Sequence, residues 1–213
     1  MKYKHFATAI PLLMLGTISA KAASLTTELK VGGELTSKST CDVNVDGGGI
    51  FDLGRISAST VKDTDVPLPT SSMNVNITCA EKVQVTYQII DNKEGTASTE
   101  GENNFGFGNI NGTGKLGYYT LMAYSGNVDG RDSRFYSSEQ IAGLAPNSLP
   151  LITIPKKKFV GWVDQGGYAA KGQVFRLSLM ISPVLAPIGK MNGGLNEGTS
   201  LDGSATVNLF YGI

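Results

Sequence analysis

The sequence SATVNLFYGI at residues 204–213 decides the interpretation of the fold. Its even positions are mixed in character, whereas its odd positions are apolar: Ala205, Val207, Leu209, Tyr211 and Ile213. A period of two predicts a β-strand with one buried face. No further strand follows in the sequence, so we expect an edge strand. An exposed strand edge invites pairing with another chain.

A second alternating stretch lies near the other terminus, at residues 23–36. One of its faces carries four residues of mainly apolar character: Leu25, Thr27, Leu29 and Val31. Thr26, Glu28 and Lys30 form the opposite, polar face. This pattern predicts a short strand, after which Gly32 and Gly33 loosen the backbone.

Residues 1–22 have the features of a signal peptide. Lys2, Lys4 and His5 precede a mostly apolar run that is too short to span a bilayer comfortably, and Ala20-Lys21-Ala22 resembles a cleavage site. Export predicts an oxidising compartment. The remaining chain carries 15 Lys and Arg against 18 Asp and Glu, so no basic field favours nucleic acid. It also lacks histidine, the commonest general base, since His5 is the only one.

Cys41 and Cys79 are the only cysteines. In an exported protein two cysteines usually pair, so we expect a structural disulfide. A reactive thiol pair is the alternative. It is disfavoured because the spacing is far from C-x-x-C and no histidine could activate either sulfur.

Short apolar runs separated by turn residues fill the rest of the chain. Strands are predicted at residues 50–56, 73–79, 82–91, 115–124, 151–154, 159–163 and 173–181, with a brief one near 105–107. Residues 73–79 and 82–91 are expected to form neighbouring antiparallel strands joined at Ala80-Glu81. Residues 137–144 are the one place where helical turns are expected. This pattern predicts an all-β sandwich.

Three segments resemble chemical sites in part. Residues 42–47 match the first half of a calcium loop, but the twelfth position is Leu53 where a Glu is needed. The glycine-rich residues 105–114 lack the G-K-[ST] ending of a phosphate loop. Trp162, with Tyr118, Tyr119 and Tyr124, could line a sugar platform, although core packing is the favoured role. We therefore predict no catalytic, cofactor or metal site and no enzyme.

Taken in order, these features resemble the fimbrial subunits that Gram-negative bacteria assemble by the chaperone–usher pathway. The resemblance rests on the arm before residues 31–35 (VGGEL), on Cys41, on FDLG at 51–54, on NVNITC at 74–79, and on the strand ending near Tyr211. Two departures stand out. The tyrosine is usually penultimate, and the family's arm usually contains a central glycine that residues 25–31 lack.

The resemblance implies an immunoglobulin-like sandwich that lacks its final strand. A periplasmic chaperone would fill the resulting groove beside residues Ala205, Val207, Leu209 and Tyr211. After delivery to an outer-membrane usher, the donor arm of the next subunit, through Leu25, Thr27, Leu29 and Val31, would replace the chaperone. Donor-strand exchange of this kind makes a head-to-tail polymer on the cell surface. It requires no cofactor.

The expected organisation is a signal peptide at 1–22, a donor arm and first strand at 23–36, and a pilin-type domain at 37–213. The leading functional prediction is a structural fimbrial subunit. The alternative is a minor subunit or a carbohydrate-binding tip adhesin that contacts a host glycan or protein receptor. A hydrolase is disfavoured because no histidine remains and no acidic pair stands out.

Overall fold

The computed structural model describes residues 41–53, 55–141, 143–145, 147–195 and 199–211. The chain divides into two units, 1–35 and 36–213, and all of the described residues belong to the second unit. The predicted signal peptide and the donor-arm residues Leu25, Thr27, Leu29 and Val31 lie outside the described residues.

The described residues form an all-β protein with three short 3-10 turns and no helix long and apolar enough to cross a bilayer. Its thirteen strands are β1 (Cys41–Val45), β2 (Val66–Pro67), β3 (Ser71–Asp91), β4 (Phe105–Gly106), β5 (Asn109–Ile110), β6 (Gly114–Lys115), β7 (Gly117–Val128), β8 (Arg131–Asp132), β9 (Arg134–Ser138), β10 (Ile152–Thr153), β11 (Phe159–Val163), β12 (Lys171–Leu185) and β13 (Ala205–Tyr211).

The long strand β3 connects the two layers of the sandwich. Its first half pairs with β1 on one edge and β12 on the other, and its second half pairs with β13 and β11. Gly172 of β12 lies opposite Val83 and Val174 opposite Thr78, so four residues of β3 face a single residue of β12. At this irregularity β3 bends from one layer into the other. The expectation of two antiparallel strands joined at Ala80-Glu81 is therefore wrong.

The first layer continues from β12 to β7 and β10, with β2, β4 and β8 paired at its margins. The second layer runs from β13 through the second half of β3 and β11 to β9. Strands β5 and β6 form a separate hairpin. Because β3 belongs to both layers, a single curled sheet encloses the core.

The core lies between the layers and is rich in aromatic rings. The Trp162 ring is 1% exposed and packs against three others, Tyr87, Phe135 and Phe175, at centroid distances of 5.6, 6.0 and 5.2 Å. Its Nε1 donates a hydrogen bond of 3.1 Å to the Arg176 carbonyl oxygen. Burying such large rings contributes much of the driving force for folding, and the indole N–H is satisfied.

The predicted disulfide joins Cys41 to Cys79, directly opposite each other in the β1–β3 register. Val75 and Ile77 of β3 contribute to the same core. The cross-link ties β1, whose other edge is unpaired among the described strands, to the strand that organises both layers.

Two further expectations are wrong. The expected strand at 50–56 is absent from its described residues: Phe51 and Leu53 lie in irregular backbone, half-buried against the core. Packing onto the core, and not strand pairing, accounts for their apolar character. The helical turns expected at 137–144 are also absent from the described part of that segment, which leaves β9 through bends. There Ser138 Oγ donates a hydrogen bond to the Gln140 carbonyl oxygen.

We expect replacement of both cysteines by alanine to lower the free energy of unfolding by about 4 kcal/mol. The disulfide closes a segment of 38 residues, which restricts the unfolded chain. Urea unfolding followed by Trp162 fluorescence measures the change. As a control, a reducing agent should destabilise the wild-type chain by a similar amount and leave the double variant unaffected. A variant as stable as the oxidised wild-type chain would contradict the prediction.

Candidate functional site: an uncovered strand edge

The candidate site is the edge of the second layer formed by β13. This strand runs antiparallel to β3, with Ala205 opposite Asp91 and Tyr211 opposite Val85. Residues 86–88 of β3 pair with β11 as well, so β13 and β11 occupy opposite edges of β3. No other described strand pairs with β13. One edge of a seven-residue strand is therefore without a strand partner in the described part of the chain.

The core face of β13 is incompletely covered. Residues directly opposite in a ladder share one face, so Val207 lies beside Ile89 and Tyr211 beside Val85. Ile89 and Val85 are only 2% and 1% exposed, yet Val207 is 56% exposed and Tyr211 36%. Leu209, next to buried Tyr87, is half-buried. Apolar side chains that point toward the core thus remain open to solvent.

The same feature recurs on β1, the outer strand of the first layer. Val43 lies opposite Ile77, which is 3% exposed, but Val43 itself is 50% exposed. Strand β1 pairs only with β3 among the described strands. Each layer therefore ends on one side in a strand with one unpaired edge, and the core-facing side chains of that strand are incompletely covered. Val43 was not among the predicted site residues, although the alternation of Cys41, Val43 and Val45 could have revealed it.

Strand β13 is held firmly at its beginning. The Asn92 backbone N–H donates to the Ser204 carbonyl oxygen at 3.0 Å, and the Asn92 side chain exchanges hydrogen bonds with Ser204 Oγ and Thr206 Oγ1 at 2.9 and 3.0 Å. Nearby, Lys93 Nζ forms an ion pair with Asp202 at 2.7 Å. The uncovered face therefore belongs to a strand that is fixed in register.

The outward face of β13 also has a packing partner. The Phe210 ring meets the Phe159 ring of β11 edge-on, with centroids 5.2 Å apart. Such pairs contribute about 0.5–1.5 kcal/mol beyond area burial. The outward face of this strand is thus anchored, whereas Val207 and Tyr211 on its core face are not fully covered.

Tyr87 lies on the core face of β3, directly beside Leu209. Its side chain is 4% exposed, and its hydroxyl has no hydrogen-bond partner among the described residues. Burial raises the pKa of the Tyr87 phenol well above its usual range, so the group stays neutral at physiological pH. The Tyr87 ring, and not its hydroxyl, contributes apolar surface to this part of the core.

The other candidate segments from the sequence have structural roles. The Trp162 ring is enclosed in the core, so the favoured prediction of core packing is confirmed for Trp162 and the alternative of a sugar platform is wrong for this residue. In the segment that resembles a calcium loop, Asp46 Oδ2 accepts hydrogen bonds from the Asn74 backbone and side-chain nitrogens at 3.1 and 2.9 Å. Within the described ranges, no group of three or more His, Cys, Asp or Glu side chains is placed to hold a metal ion. The glycine-rich segment forms β4 and the β5–β6 hairpin.

Comparison with known proteins gives one family match. The model of a family described as "Protein of unknown function (DUF1120)" matches residues 29–120, which are 92 of the 213 residues. The matched region contains both cysteines, the whole of β3 and the beginning of β7. No curated protein matches the chain.

Because the core face of β13 is unevenly covered, we predict that alanine substitutions at two neighbouring core-facing residues lower the free energy of unfolding by different amounts. Leu209→Ala should lower the free energy of unfolding by about 2 kcal/mol, because Leu209 packs partly against the core. Val207→Ala should cost less than about 1 kcal/mol, because most of its side chain is already in water. Urea unfolding of both variants measures the difference, and equal losses would argue that the face is covered.

Proposed function

We propose that this protein is a structural subunit of a chaperone–usher surface fimbria and that it polymerises by donor-strand exchange. The observation that carries the proposal is the exposure of Val207 on the core face of β13, a strand that is fixed in register and has one unpaired edge among the described strands. Isolated proteins cover such faces, because exposed apolar surface and free strand edges promote association. A strand from another molecule would cover both at once.

The chemical character of a segment that pairs with β13 can be inferred from the surface that it would contact. The free edge of β13 offers backbone N–H and C=O groups at strand spacing, and core-facing apolar side chains recur at every second residue. A complementary segment must be extended and must carry apolar side chains with a period of two. Residues 25–31 have that pattern in Leu25, Thr27, Leu29 and Val31.

The energetics are favourable for a long-lived joint. Each fully buried Leu or Val of an inserted arm contributes roughly 1.5–3 kcal/mol. Each backbone hydrogen bond along the seven residues of β13 adds about 1 kcal/mol. Immobilising the two partners offsets part of this gain. The surplus increases with the number of arm residues that alternate correctly.

In this proposal each subunit supplies its arm to one neighbour and accepts an arm from another. The two surfaces differ, so the contact is heterologous and propagates without closing. Before assembly, a periplasmic chaperone would cover the Ala205, Val207, Leu209 and Tyr211 face, and an outer-membrane usher would exchange the chaperone for the next arm. The subunit would thus pass through the periplasm to the cell surface. As part of the same proposal, we infer that the sandwich has an immunoglobulin-like fold.

Val207→Asp should abolish acceptance of an arm. The carboxylate would lie under the incoming strand, where burying an unpaired charge is strongly unfavourable. The measurement is native mass spectrometry of the mature chain mixed with a synthetic peptide of residues 23–36. Asn208→Asp is the matched control, since Asn208 occupies the opposite face of the same strand and should leave peptide binding unchanged. Equal binding by both variants would refute the role of this face.

Deleting residues 23–31 should remove donor activity and leave acceptor activity. The shortened chain should bind the residue 23–36 peptide, yet it should not form fibres, because it has no arm to insert into a neighbouring subunit. Electron microscopy of fibres from cells that co-express the chain with its chaperone and usher tests this outcome. A matched variant with Thr26→Ser, on the polar side of the arm, should assemble normally. Fibres of ordinary length from the deletion variant would exclude the donor role.

A further inference from the structure

A polar cleft crosses the outer face of the first layer, away from the β13 edge. It has a volume of about 680 Å³ and is lined mainly by polar side chains from several strands, among them Asn74, Asn76, Asn127, Asp132, Arg176 and Ser178. The proposed fimbrial function uses none of these residues.

Five polar residues form one row across this face. In register they are Asn44 of β1, Asn76 of β3, Arg176 of β12, Asn127 of β7 and Asp132 of β8. Neighbouring strands are about 4.8 Å apart, so the row is about 19 Å long. Phe175 and Leu177, on either side of Arg176, are buried, which places Arg176 on the solvent side. The cleft thus offers an extended track of amide, guanidinium and carboxylate groups.

The guanidinium of Arg176 is exposed at the centre of the row and has no ion-pair or hydrogen-bond partner among the described residues. Its backbone is nevertheless held in place, because its carbonyl oxygen accepts the Trp162 Nε1–H. The amide of Asn76 beside it is likewise without a hydrogen-bond partner in the described part of the chain. The Arg176 guanidinium and the Asn76 amide therefore face the cleft without hydrogen-bond partners among the described residues, although both groups bond strongly.

A β-bulge shapes the cleft. Between the pairs Arg176–Asn127 and Ser178–Tyr124, the two residues Ser125 and Gly126 of β7 face a single residue of β12. Ser125 has a φ of 52°, a left-handed conformation that is unfavourable for a non-glycine residue. At Gly126 a Cβ atom would lie 2.7 Å from the Ser133 carbonyl oxygen. Bulges and strained backbone of this kind concentrate at binding sites, where they redirect side chains.

The side chains of Asn74 and Ser178, which lie next to the row through Arg176, are held in place by hydrogen bonds. Asn74 Nδ2 donates to Asp46 Oδ2 at 2.9 Å, and Ser178 Oγ donates to Asn74 Oδ1 at 3.0 Å. Tyr124 lies opposite Ser178 and is half-buried, so it adds an aromatic ring at the margin of the polar groups. Fixed polar groups lose little conformational entropy when a ligand binds.

We propose that this cleft binds a saccharide chain. Sugar hydroxyls both donate and accept hydrogen bonds, as do amide side chains, and the planar guanidinium adds a fixed fork of donors. A nucleic acid is disfavoured because the cleft contains one cation, Arg176, and two carboxylates, Asp46 and Asp132. An apolar ligand is disfavoured because few of the lining residues are apolar.

The test uses the complete mature chain. A glycan array of neutral and uronic-acid-containing oligosaccharides identifies binders, and isothermal titration calorimetry then measures their dissociation constants. Arg176→Ala and Asn76→Ala should each weaken binding about tenfold or more. Arg55→Ala is the matched control, since Arg55 is exposed outside the cleft and should leave binding unchanged. Unaltered Trp162 fluorescence verifies that each variant is folded.

Saturable binding that both cleft variants weaken, with the Arg55 variant unaffected, supports the proposal. Absence of binding to any oligosaccharide of the array at millimolar concentration overturns it, as does binding that the cleft variants retain. Peptide capture at the β13 edge should be normal in both cleft variants, so this result is independent of the fimbrial proposal.

Discussion

One strand contributes core side chains to both layers of this sandwich, and the rest of the structure depends on that constraint. Inward residues of β3 recur at every odd position from Met73 to Ile89 except at Glu81, where the strand bends. Any shift of register by one residue would turn both sets of apolar side chains outward. Strands β1, β12, β11 and β13 all take their positions from this strand. The disulfide at Cys79 attaches β1 just before the bend.

The same arrangement leaves the molecule with an unequal covering of its core. Trp162, Phe135 and Phe175 are enclosed, whereas Val207 and Val43 point toward the core and remain half open. The free energy gained by burying apolar side chains is proportional to the area removed from water. Val207 and Val43 therefore contribute less to the stability of the fold than they would if they were fully buried. In the proposed fimbria the remainder of that free energy would be released between molecules. Folding and assembly would then use one continuous apolar core.

The two proposals concern surfaces with opposite chemistry. The β13 edge combines exposed apolar side chains with backbone groups, which suits an extended peptide segment. The outer face of the first layer presents amides and a single unpaired arginine on paired strands, which suits a ligand rich in hydroxyl groups. Because the central strands under the cleft are paired on both edges, a ligand there would not compete for the hydrogen bonds that hold the sheet. A subunit could therefore be joined to its neighbours and keep the cleft open.

Local patterns in the sequence were sufficient for the fold class, for the pairing of Cys41 with Cys79, and for the C-terminal strand β13, because alternation and cysteine number are properties of short segments. They were insufficient where distant residues compete. The apolar side chains lie at odd-numbered positions both before Ala80 and after Glu81. This pattern is compatible with one bent strand or with two strands joined by a turn. The pairing with β12 and β11 shows that the segment is one bent strand. The strand prediction at Phe51 and Leu53 is wrong because apolar character alone does not distinguish packing against the core from strand pairing.

The exposure of Val207 and Val43 depends on which neighbouring strands are absent among the described residues. The row of polar residues through Arg176 depends on the register across five strands. Both follow only from the tertiary arrangement, since each involves residues that are far apart in the chain.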